Sequence, residues 1–99
     1  MPKLLFTPKA AEQFRELENF PALAKRFRAV RSALGKMEHS LRHPSLRTHV
    51  YDEKGCPHDG KLFEAYAENN TPVAYRIFFC YMPRPDIDTV LIVAITPHP

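Results

Sequence analysis

The sequence predicts an α+β fold: one domain, elements in the order β-α-α-β-β-β-β, with a twisted, mainly antiparallel sheet carrying a helical hairpin on one face. Three observations predict it. Helical periodicity is confined to the first half of the chain, strand-like runs dominate the second, and the 99 residues fall within the roughly 50–200 that one hydrophobic core serves.

The elements follow in order. "KLLF" (3–6) reads as a short strand, and "TP" then supplies a helix start, Thr7 as N-cap and Pro8 at the first helical position. This helix runs to about Glu18, and Pro21 disfavours helical geometry at Phe20, which separates it from the next. Leu23, Phe27, Val30, Leu34, Met37 and Leu41 then recur at alternating spacings of four and three, one stripe of a second helix. Lys25, Arg26, Arg28 and Lys36 occupy its other side. Gly35, unfavourable inside a helix, is expected to permit a close approach to a neighbouring element. "RHPS" ends the helix, and "SLRTHVY" (45–51), "KLFEAYAE" (61–68), "VAYRIFFCY" (73–81) and "TVLIVAI" (89–95) read as four strands separated by Gly-, Asn-, Asp- and Pro-rich turns.

Composition narrows the function classes. With 44% hydrophobic and 25% charged residues the chain is globular, and no run approaches the ~18 apolar residues of a membrane span. The apolar start is too short for a signal peptide, so the expected compartment is the cytoplasm and no membrane partner is expected. Cys56 and Cys80 are accordingly expected as free thiols. Residues 1–50 hold ten Lys/Arg against four Asp/Glu, and residues 51–99 hold four against seven. That asymmetry points to an anionic partner. Only a C-x-H fragment, Cys56 and His58, suggests a metal, short of the four ligands of a structural zinc site, so neither metal nor cofactor is expected. With three glycines the chain also lacks a P-loop or dinucleotide fingerprint.

Strand parity selects a face. Alternation assigns Leu46, Thr48, Val50, Phe63, Ala65, Ala67, Ile77, Phe79, Leu91, Val93 and Ile95 to the core beneath the helices. The opposite set is Arg47, His49, Tyr51, Glu64, Tyr66, Glu68, Arg76 and Phe78, joined by Thr96 and His98 if the last strand stays extended. One consecutive helix pair covers only one face, leaving cations, imidazoles and stacking rings open to a ligand. Such groups suit an RNA phosphate backbone. Taken singly they also suit ordinary ion pairs of Arg47 and Arg76 with Glu64 and Glu68.

The element order, "HPSLRTH" entering the sheet, "AYRIFFCY", and a last apolar strand ending in "ITPHP" together resemble the RelE/ParE superfamily of bacterial toxins over nearly the whole chain. The resemblance implies the toxin of a type II toxin–antitoxin module, a metal-independent endoribonuclease cutting mRNA on the ribosome. Its partners would be a cognate antitoxin, mRNA and the ribosome, and a homodimer is compatible with it. The alternatives are a ParE-like toxin inhibiting DNA gyrase and a non-catalytic RelE-fold binding protein. By resemblance Arg76 steadies the scissile phosphate, His98 serves as acid or base near the terminus, and Arg47 stands where the family commonly carries a basic residue. Glu64 replaces a family lysine and is the available substitute base. His49, Lys61, Tyr66, Phe78 and Arg26 are expected to contact RNA.

Overall fold

The computed structural model describes residues 3–57, 60–69, 73–82 and 89–97. They form β1 (Lys3–Phe6), α1 (Pro8–Asn19), α2 (Ala24–His39), β2 (His49–Asp52), β3 (Leu62–Tyr66), β4 (Tyr75–Tyr81) and β5 (Thr89–Pro97), with 3₁₀ turns at Pro21–Leu23 and Pro44–Leu46. The sheet order is β1-β5-β4-β3-β2. β1 runs parallel to β5 and the other pairs are antiparallel. This is the expected α+β architecture, with the helix pair on one face. No helix among the described residues is long and apolar enough to cross a membrane.

Local chemistry explains the helix boundaries. Thr7 caps α1 by accepting from the Ala10 amide at 3.1 Å, and Pro8 sits where its missing N–H costs nothing. Phe20 is extended (φ −103°, ψ 109°) ahead of Pro21, so the chain turns before α2 begins. Val30, Ala33, Leu34 and Met37 form the buried stripe of α2, flanked by the partly buried Leu23, Phe27 and Leu41. Phe14 of α1 meets Phe27 of α2 at 5.2 Å between ring centroids. Beneath them lie Ala65, Ile77, Phe79, Val90, Ile92 and Ile95, all inaccessible or nearly so. Gly35 does not mediate a close approach: it is exposed and a Cβ there would meet nothing within 4 Å, so it only weakens the helix, by up to about 1 kcal/mol relative to Ala.

Four further expectations about the strands and cysteines need correction. The segment before β2 is not strand: Pro44–Leu46 form a 3₁₀ turn and Arg47 takes the left-handed conformation (φ 47°), so pairing starts only at His49. Val50, assigned to the core, is 38% exposed because β2 lies at the sheet edge beyond the helices. In β5 a bulge between the partners of Phe78 (Ala94) and Phe79 (Ile92) inserts Val93 and reverses the alternation. Val90 and Ile92 therefore enter the core, while Leu91 pairs with Cys80 on the opposite face. α1 satisfies the bulged strand: Thr7 donates its hydroxyl to the Val93 carbonyl (3.1 Å), and Gln13 Oε1 accepts from the Ile95 amide (2.8 Å).

The fourth correction concerns the cysteines. Cys56 and Cys80 form a disulfide, their Cα atoms 5.9 Å apart, and neither is a free thiol. It ties the turn after β2 to the C-terminal end of β4. The turn lies close enough to β3 that a Cβ on Gly55 would come within 2.9 Å of Leu62 Cβ, so a side chain there would force the backbone apart.

Candidate active site on the open sheet face

Residues that alternate away from the helices are brought together by register. His49 stands opposite Glu64, Glu64 opposite Phe78, Tyr66 opposite Arg76, and Arg76 opposite Thr96. Two neighbouring rows thus cross the face, His49–Glu64–Phe78 over β2 to β4 and Tyr66–Arg76–Thr96 over β3 to β5. Cross-strand neighbours of this kind have Cβ atoms about 5 Å apart, within side-chain contact.

His49 occupies the exposed end of the first row. Its Nε2 lies 2.8 Å from Glu64 Oε1, and its Nδ1 lies 2.7 Å from the Arg47 carbonyl oxygen. The Glu64 side chain is 1% exposed and that of His49 45%. With both ring nitrogens on oxygen acceptors, the complete hydrogen-bond set needs two N–H protons, as in an imidazolium facing a carboxylate. A buried carboxylate behind an accessible ring fixes the ring's orientation and leaves the imidazole as the group that can meet a substrate.

Tyr66 organises the cations. Its ring meets His49 edge-on at 5.9 Å, carries the Arg47 guanidinium at 5.7 Å, and has Arg76 Cζ only 3.8 Å from its centroid. These distances fall within cation–π range. Arg76 is not open to solvent as parity implied, being only 8% exposed. Its Nη1 donates to the carbonyl oxygens of Glu68 and Tyr75, and its Nε has no partner among the described residues. Arg47 is the accessible cation of the cluster, presented by its left-handed turn, with no carboxylate paired to it among the described residues.

The remaining sequence-predicted residues disperse. Phe78 is buried beside Glu64 and covered edge-on by Tyr51, ring centroids 5.0 Å apart, which makes it floor rather than a free stacking platform. Arg26 projects from α2, on the helix side, where its Nε pairs with Glu68 (3.4 Å) and its guanidinium covers Tyr75. Lys61 lies in an exposed pair with Glu53 at 3.8 Å, a contact of small energetic value. His98 lies outside the described residues. The ion pairs considered from sequence, Arg47 and Arg76 with Glu64 and Glu68, are replaced by His49 with Glu64 and Arg26 with Glu68. The His49–Glu64 pair was legible in principle, since both residues fall in the outward set of strands that become neighbours. Among the described residues no group of three or more His, Cys, Asp or Glu side chains is placed to hold a metal ion.

No protein-family model matches the chain, and no curated protein is significantly similar to it.

Proposed function

We propose that the chain is a metal-independent endoribonuclease, the toxin of a RelE/ParE-type module, acting on ribosome-bound mRNA in the cytoplasm. The observation that carries the nuclease reading is the accessible His49 ring fixed by buried Glu64 beside the exposed Arg47. The toxin assignment is supported by the resemblance in element order and motifs.

RNA carries its own nucleophile. The 2′-oxygen attacks the adjacent phosphorus, the bond to the 5′-oxygen breaks, and a 2′,3′-cyclic phosphate remains. One proton must leave the 2′-hydroxyl and one must reach the departing oxygen. We assign the second transfer to His49 through Nδ1, which exchanges the Arg47 carbonyl for the leaving oxygen. Glu64 holds Nε2 from the buried floor. Arg47 meets the phosphate oxygens with its guanidinium. Tyr66, braced by Arg76, supports both groups. The 2′-hydroxyl proton is assigned to His98, by resemblance alone.

The test is incubation of the purified chain with programmed ribosomes in EDTA, with mapping of RNA ends. Cleavage leaving cyclic phosphates is the expected result. Intact mRNA would overturn the nuclease reading. If gyrase–DNA breaks accumulated instead, the ParE-like alternative would stand; RNA binding without cleavage would mark a non-catalytic module.

A further inference from the structure

The end of the helix-covered face that α2 does not reach contains a cavity of about 440 Å³, bounded by the chain leaving α2, the 3₁₀ turn, and the ends of β3 and β4. Phe63 and Tyr81 form its aromatic wall, with ring centroids 5.0 Å apart and Tyr81 46% exposed. Arg42 and His43 form its rim, and no carboxylate lines it among the described residues. Arg42 is exposed and has no ion-pair partner among those residues. His43 is held by its Nδ1, which accepts from the Ser45 amide at 3.2 Å, so its other edge is free of that bond. Arg47 lines the same cavity, yet its guanidinium reaches Tyr66 on the open face. The cavity and the His49 cluster therefore adjoin through one residue.

We propose that this cavity is a nucleotide subsite: it takes a base of single-stranded RNA next to the reacting phosphate, stacked on Tyr81 and Phe63, with the attached phosphate on Arg42. The chemistry supports it on two independent counts. An exposed ring in a concave site gives a sequence-tolerant stacking platform, and an exposed guanidinium with no carboxylate partner among the described residues attracts phosphate. Arg47 lines the cavity and also reaches Tyr66 of the open face, so a strand leaving the active site at Arg47 meets the cavity next. The inference rests on the RNA reading of the open face and extends it by naming a second point of contact.

The test measures binding separately from cleavage. A short fluorescein-labelled 2′-O-methyl oligoribonucleotide lacks the nucleophile and reports affinity by anisotropy. Tyr81→Ala should weaken binding about tenfold, the scale of one lost base–aromatic stack, and Tyr81→Phe should restore it. Arg42→Ala should lower the slope of log affinity against log salt by about 0.7, one single-strand phosphate contact. Loss of cleavage in His49→Gln and loss of binding in the Tyr81 and Arg42 variants distinguish the two sites. Wild-type affinity in both Tyr81→Ala and Arg42→Ala, or no binding by the unaltered protein, would overturn the subsite. A Glu-rich peptide that displaced the oligonucleotide and depended on the same two residues would overturn it too, reassigning the cavity to an acidic protein segment.

Discussion

On the face beneath the helices, Ile77 and Phe79 of β4 are buried against Val30, Leu34 and Met37; one residue along the same strand, Arg76, Phe78 and Cys80 are buried nearly as deeply with no helix among the described residues above them. The first face is sealed by hydrocarbon. The second is sealed by its own side chains: Tyr66 lies on Arg76, Tyr51 on Phe78, and the disulfide holds the turn after β2 against Cys80. Charge can be buried on the second face because each group finds local partners, carbonyl oxygens for Arg76 and an imidazole for Glu64. The difference teaches that an uncovered sheet face need not be an exposed one, and that its accessible chemistry is then confined to the rim, at His49 and Arg47.

The largest expected effect separates the two faces. Phe79→Ala should destabilise the fold by about 3–5 kcal/mol in denaturant unfolding, the cost of an aromatic cavity in a sealed core. Phe78→Ala should cost less, because exposed Tyr51 can settle into the space. Equal losses would break the distinction.

Next is the disulfide. Its residues are 24 positions apart in sequence, a loop whose closure constrains the unfolded chain by about 3 kcal/mol. Cys56→Ser/Cys80→Ser, or reduction by dithiothreitol, should lower the thermal midpoint accordingly. An unchanged midpoint after verified reduction would show that the turn is held without it.

A smaller effect is expected at Arg76. Removing a guanidinium that is stacked on a ring and bonded to buried carbonyls should cost about 1–3 kcal/mol in Arg76→Ala. A loss near zero would restore the solvent-open arginine that alternation alone suggests.

How much of this was legible follows from the kinds of signal involved. The stripe from Leu23 to Leu41 identified α2 because a period of 3.6 persists through local irregularity, and Ile77 and Phe79 were placed correctly by alternation within one uninterrupted strand. Leu91 and Val93 escape alternation because a bulge shifts parity by one residue, and the bonds that satisfy β5 around it, from Thr7 and Gln13, join residues more than 80 positions apart. Arg47 and His49 were grouped correctly with Tyr66, although through a left-handed turn rather than an extended strand. The burial of Arg76 was not legible, because it depends on which ring and which carbonyls lie across the ladder. The disulfide is not legible, because a cytoplasmic expectation favours free thiols and the approach of the turn after β2 to β4 is a tertiary contact with no local signal.

The central claim is that His49, fixed by Glu64, transfers a proton in RNA cleavage. The most direct measurement is single-turnover cleavage of ribosome-bound mRNA by His49→Gln, with a melting curve for the same protein. Glutamine keeps an N–H donor for the buried carboxylate and cannot transfer a proton. The account predicts a fall in cleavage of about 10²-fold or more with little change in the melting midpoint. Wild-type cleavage by His49→Gln would contradict it.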